Sequence, residues 1–118
     1  MAIEDFSKAI ECDCTKADFY HNRGLAWRKL GNNSRAIDDY SIAIDIDSQH
    51  YKSFFNRGFC YDLSNDYVKA IEDYKATLNI YPNNLKALHH LGSIYERIST
   101  SNSYAMLNKS KSHLLKEA

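Results

Sequence analysis

Neither sign of charge is in excess in this chain of 118 residues: 15 lysines and arginines balance 15 aspartates and glutamates. No global field draws such a chain to nucleic acid or to an anionic membrane, which disfavours non-specific binding to either. No apolar run approaches the roughly 18 residues that a membrane-spanning helix needs. Glu4 and Asp5 stand where a leader peptide would be basic and then apolar. The chain is therefore expected to be soluble, without a membrane partner, and cytoplasmic or nuclear. Cysteine is scarce and odd in number: Cys12, Cys14 and Cys60 fit reduced thiols rather than a disulfide framework. The Cys12-Asp13-Cys14 spacing is too short for the usual zinc pair, and no second pair follows it. A glycine-rich phosphate loop, a nucleophile elbow and a paired-carboxylate arrangement are also missing. No catalysis, metal or cofactor is expected. With 44% apolar and 25% charged residues the balance is that of an ordinary globular chain with a packed core.

What the chain does have is a period. Sliding residues 17–50 by 34 positions lays them over 51–84 with the informative positions matched. Gly24 falls on Gly58 and Gly92, Trp27 on Tyr61 and Tyr95, and Tyr20 on Phe54 and Leu88. Ala36-Ile37 fall on Ala70-Ile71, and Asp39-Tyr40 on Asp73-Tyr74. Earlier, Ala2 to Cys14 matches the second half of these units, with Phe6 at the place of Tyr40 and Tyr74. Ile3, Phe6, Ala9 and Ile10 share one face of a helix there. Glycine inside a helix costs about 1 kcal/mol relative to alanine, so its recurrence three times predicts a close backbone approach between paired helices. Arg23 and Arg57 accompany Asp39 and Asp73, whereas the last unit has Leu91 and no aspartate. Joint presence and joint loss predict Arg–Asp pairs between helices, a structural device.

An aromatic, a glycine four residues on, an aromatic three later, an alanine nine after that and an aromatic four further, all at a period of 34, resembles the tetratricopeptide repeat (TPR). The resemblance covers residues 2–98. It implies an all-α right-handed solenoid of antiparallel helix hairpins, about seven helices in one domain, 1–118. Its parts would be 2–16 (the second half of a truncated repeat), 17–50, 51–84, and 85–118 with a degenerate second helix. Ser99 to Ser103 read as a polar loop, and Tyr104, Leu107, Leu114 and Leu115 as the apolar face of a seventh, capping helix. Beginning in mid-unit leaves part of an apolar face without a neighbour, so association through the N-terminal edge is expected.

In this family the first-half helices turn toward a concave groove that holds a peptide of a partner, which makes the expected function that of a protein–protein interaction module. The resemblance points to His21, Asn22, Leu25, Arg28, Lys52, Phe55, Asn56, Phe59, Lys86, His89 and His90. The polar side of the three helices carries five basic and three acidic residues, a net charge of +2 with histidines neutral, so an acidic peptide is the expected ligand. Asn22 and Asn56 take the same place in successive units and resemble the asparagine ladder with which some arrays hold peptide backbone, an amide being both donor and acceptor. The carboxylate clamp of chaperone-binding members would need lysine at His21, asparagine at Leu25, asparagine at 56, lysine at 86 and arginine at His90. Only Asn56 and Lys86 comply. Phe55 and Phe59 suggest an apolar pocket in mid-groove. Two other readings stand beside this one: the array as a regulatory or targeting portion of a larger enzyme or chaperone-associated protein, and RNA binding, for which a net charge of +2 is a weak basis.

Overall fold

In a computed structural model, residues 2–117 are described, with side chains described for residues 2–101. They form six helices: α1 (Ala2–Cys12), α2 (Ala17–Lys29), α3 (Asn33–Ile46), α4 (Tyr51–Leu63), α5 (Tyr67–Ile80) and α6 (Leu85–Glu117). Among the described residues there is no strand. Each helix packs on its neighbours in the chain, and α2 also meets α4. The result is the stacked architecture that the repeat predicts, in which each unit is buried only by adjacent ones.

Local chemistry sets the helix ends. Gly31 and Asn65, 34 positions apart, both take positive φ, +82° and +61°, just past the C-cap residues Leu30 and Ser64 of α2 and α4. A left-handed residue there releases the chain from the helix, and glycine or asparagine adopts it at least cost. The next residue but zero is in each case a cap: the Asn32 side chain accepts from the Arg35 N–H at 3.1 Å, and the Asp66 side chain from the Lys69 N–H at 3.5 Å. Asn84 does the same for α6, accepting from the Ala87 N–H at 3.2 Å. Asp18 lies in the first turn of α2, where its charge suits the helix N-terminus; Lys16 is the N-cap, and the Asp18 carboxylate bonds His50.

The count of six rather than about seven comes from one place. Ser99 stands where Gly31 and Asn65 end the earlier first-half helices, and it has no comparable ease in the left-handed region. The expected loop at Ser99 to Ser103 is instead continuous helix within α6. Tyr104, Leu107, Leu114 and Leu115 lie outside the residues whose side chains are described.

The core is carried by aromatic rings of second-half helices. Tyr40 on α3 and Tyr74 on α5 are fully buried, each beside a fully buried alanine, Ala36 or Ala70. A Cβ placed on Gly24 would lie 2.7 Å from Tyr40 Cε1. One on Gly58 would lie 3.1 Å from Asp73 Cβ and 3.2 Å from Tyr74 Cδ1. The two glycines are seats for the two rings. Beside each seat runs a bidentate ion pair: Arg23 Nε and Nη2 donate to the Asp39 carboxylate at 2.8 and 2.7 Å, and Arg57 to Asp73 at 2.8 Å twice. The remaining nitrogen of each guanidinium reaches back one helix, to Ser7 Oγ at 3.3 Å or Ser41 Oγ at 3.0 Å. Both aspartates are buried, so deleting either arginine strands a charge at a cost of about 3–5 kcal/mol.

Gly92 on α6 differs, with nothing within 4 Å of the same Cβ among the described residues. Gly24→Ala and Gly58→Ala should therefore each lose about 1–3 kcal/mol by overpacking, while Gly92→Ala should gain about 0.5–1 kcal/mol from helix propensity alone. Urea unfolding of the three variants checks both signs.

Candidate functional site

The first-half helices α2, α4 and α6 hold a continuous set of polar and aromatic contacts. His21 on α2 is buried, and burial pushes its pKa down to about 4. A neutral ring in that position offers a lone pair at Nε2, and the Asn56 Nδ2 amide donates to it at 2.9 Å. On its other side the Asn56 Oδ1 accepts from Arg28 Nη1 at 3.2 Å. Each end of this amide keeps one further bonding place, since an amide has two N–H donors and two lone pairs.

Arg28 continues the chain of contacts. Its guanidinium lies 5.1 Å from the centroid of Phe59. Phe59 packs edge-on to His90 with centroids 5.6 Å apart, and His90 also meets Phe55 at 5.6 Å and stacks on the buried Tyr74 at 5.7 Å. Burial lowers the His90 pKa. The expected mid-groove pocket between the two phenylalanines is thus an aromatic cluster that includes His90, and Phe55 belongs to the packing around Tyr74 and Ile94. His89, beside it, is exposed.

Arg28 stands where the next unit has Asp62, and the exchange has a consequence on the core side. The Tyr74 hydroxyl donates to Asp62 Oδ2 at 3.3 Å. The Tyr40 hydroxyl, with Arg28 instead of a carboxylate at the same place of its own unit, is buried without a partner. An orphaned buried hydroxyl costs about 1–3 kcal/mol.

The charges sort unevenly. Asp62 is held by Arg97 at 3.1 Å, and Asp18 lies 2.7 Å from His50 Nε2. Among the described residues no carboxylate lies within 4 Å of Arg28, Lys52 or Lys86. The structure therefore joins His21, Arg28, Phe55, Asn56, Phe59, His89 and His90 in one contact chain and leaves Lys52 and Lys86 exposed beside it. Asn22 and Leu25 are placed differently: both line a groove at the N-terminal edge, and Leu25 also packs on the Ala36, Tyr40 and Cys60 cluster. Asp62 and Arg97 were counted on the polar side of the first-half helices, but their pairing, the Tyr74 hydroxyl that joins it and the contact of His50 with Asp18 were missed by sequence reasoning. The signal for the pairing was present, since Asp62 and Arg97 sit 35 residues apart, one unit and one position, as do His21 and Asn56.

Family models for the tetratricopeptide repeat match residues 17–50 and 51–84, which together make up more than half of the chain. The chain belongs to the tetratricopeptide-repeat family. Solved structures agree. The MamA crystal structure is similar at 30% identity and a TM-score of 0.79, over 82% of this chain and 57% of that one, so this chain spans little more than half the length of MamA. The second TPR domain of human RPAP3, solved in complex with the HSP70 peptide SGPTIEEVD, is 28% identical with a TM-score of 0.74, over 79% of this chain and 78% of that one. The TPR domain of Arabidopsis OM64 is 25% identical with a TM-score of 0.79, over 81% and 79%. No curated protein sequence matches the chain. TPR units are typically interaction modules without catalysis, and among the described residues no cluster of histidine, cysteine and carboxylate could hold a metal ion. Among the described residues of this TPR array, no helix is long and apolar enough to cross a membrane.

The buried histidine makes this array acid-sensitive. Below the unfolded pKa of 6.5 the unfolded chain takes up a proton at position 21 that the folded chain refuses, so stability falls from pH 6.5 until about pH 4. His90, lowered in the same direction, adds to the slope. The loss from His21 should be on the order of 2 kcal/mol. His21→Phe, which copies Phe55 of the next unit, should flatten the slope when urea midpoints are compared at pH 6.5 and pH 4.5.

Proposed function

We propose that this TPR array binds an extended peptide of acidic character along α2, α4 and α6, with Asn56 at the centre and Arg28, Lys52 and Lys86 supplying the positive charge. Such a peptide presents backbone amides at regular spacing and carboxylates at its side chains or end. Asn56 has one N–H and one lone pair left for the backbone. The three unpaired cations suit the carboxylates, and a guanidinium can take one bidentately.

The observation that carries this reading is Arg28. An aspartate there, as in the next unit, would satisfy the Tyr40 hydroxyl, whereas the arginine leaves it orphaned and has no carboxylate of its own among the described residues. Stability is given up at a position whose charge faces the groove, a pattern expected of a binding residue rather than a packing one. The similar RPAP3 domain was solved with a peptide that ends in Glu-Glu-Val-Asp, a ligand of the same chemistry. A match to the carboxylate clamp at Asn56 and Lys86 is compatible with that chemistry. His21 and Leu25, engaged in packing, would take no part in a clamp.

A fluorescent SGPTIEEVD peptide is a suitable first probe, with a counterpart in which glutamine and asparagine replace the acidic residues. The acidic peptide should bind and the neutral one much less. Asn56→Ala should weaken binding by about 1–3 kcal/mol with folding nearly intact. Arg28→Asp should weaken it at least as much while the melting temperature holds or rises. Lys86→Ala should weaken it mainly at low salt, through the association rate. Lys75→Ala, on the exposed side of α5, is the control. Equal weakening by the control, or none by the groove variants, would overturn the reading.

A further inference from the structure

In the unit of residues 51–84 one carboxylate holds two donors together; the unit before it has two such donors and no carboxylate. Asp62, near the end of α4, accepts from the Tyr74 hydroxyl at 3.3 Å through one oxygen and from Arg97 Nη1 at 3.1 Å through the other. Its side chain is 10% exposed and that of Arg97 is 55% exposed, so the pair marks a way from the buried ring to the surface. In residues 17–50 the ring, its glycine seat and the adjoining Arg–Asp pair recur in register. Position 28 therefore stands to the Tyr40 hydroxyl as position 62 stands to that of Tyr74. The side chain at 28 is a guanidinium, and the counterpart of Arg97 is Leu63, so the following unit sends no charge to meet it. The charge of Arg28 favours the ionised forms of the Tyr40 hydroxyl and of the Cys60 thiol, which puts it within electrostatic reach of both. Among the described residues neither the Tyr40 hydroxyl nor Arg28 has a carboxylate partner.

We propose that Tyr40 is a specificity-determining residue of the groove: its hydroxyl and the Arg28 guanidinium together take one carboxylate of the acidic peptide, as Tyr74 and Arg97 take that of Asp62. The inference rests on the groove reading above. A carboxylate has two oxygens, one for each donor. Arg28 is half-buried, and its present contacts are neutral groups: Asn56 Oδ1 at 3.2 Å and the ring of Phe59, whose centroid is 5.1 Å away. Hydrogen bonds between ionised partners are roughly twice as strong as neutral ones, so a carboxylate competes well with the Asn56 amide for the guanidinium. Drawing Arg28 off that amide opens the approach to the hydroxyl and frees Asn56 Oδ1 to accept a backbone N–H of the same peptide. A glutamine in place of the acid has one oxygen for two donors, and its NH₂ meets whichever donor remains.

Tyr40→Phe removes the hydroxyl and keeps the ring on its Gly24 seat. The hydroxyl has no partner to lose, so the variant should show a urea midpoint equal to or above that of wild type. Tyr74→Phe removes a bonded hydroxyl and should show a lower midpoint. Fluorescence anisotropy then compares both variants and Arg28→Asp on the SGPTIEEVD probe and its neutral counterpart, at one ionic strength. Tyr40→Phe should bind the acidic probe at least fivefold more weakly than wild type and the neutral one equally, whereas Tyr74→Phe should keep the wild-type preference. Wild-type affinity of Tyr40→Phe for the acidic probe, with Arg28→Asp weakened, overturns this inference and leaves the groove reading standing. Equal weakening toward both probes overturns it as well, since it marks a structural hydroxyl. No binding by wild type, or none lost in Arg28→Asp, overturns the groove reading and this inference with it.

Discussion

A tyrosine ring seated on a helical glycine is the contact on which each hairpin depends. The ring belongs to the second helix, the seat to the first, and the two lie 16 residues apart, as do the arginine and aspartate that bond beside them. Two constraints at one separation fix the register of the hairpin. Any side chain at the glycine would displace the ring, and any loss of the arginine would leave a buried carboxylate unpaired. Stacking then follows from the third guanidinium nitrogen, which reaches the serine of the preceding helix and ties one unit to another. Stability in such an array is a sum of neighbouring interfaces, so each helix is held only as well as its own seats are filled.

The groove is what the seats leave over. On α2, α4 and α6 a network runs beside the seats from the buried His21 through Asn56 and Arg28 to Phe59 and His90. Packing and the proposed binding meet at Arg28. The position lies one residue past the Trp27 stripe, close enough to the core that its identity decides whether a buried tyrosine hydroxyl finds an acceptor. The same network makes the protonation of His21 a matter of fold as well as of ligand, because a charged ring could no longer accept from the Asn56 amide.

Much of the fold was legible because the period of 34 repeats the glycines, the rings and the Arg–Asp pairs in step. The pairing of Arg23 with Asp39 and of Arg57 with Asp73 could be inferred from their joint loss at Leu91. The end of α6 was not legible: Ser99 and its polar neighbours resemble a loop by composition, yet no glycine or proline there forces the backbone out of the helix, and the one asparagine, Asn102, stands three residues past the place of Gly31 and Asn65. The groove was legible in part. Asn56, Arg28 and His90 could be placed on the first-half helices, but a period cannot show that Asn56 is already bonded on both sides, or that Phe55 serves the Tyr74 core. The first depends on contacts 28 and 35 residues apart, between neighbouring units, and the second on a ring contact between the two helices of one unit. The Arg28 and Asp62 exchange was visible in the sequence, and its meaning appeared only with the orphaned hydroxyl.

Amide hydrogen exchange addresses the seat-by-seat account most directly. α3 and α4, flanked by filled seats, should exchange near the global unfolding free energy. α1, whose ring has no seat among the described residues, and the start of α6, whose seat has no ring among them, should open locally and exchange well before them. Protection of α1 equal to that of α3 would contradict the account.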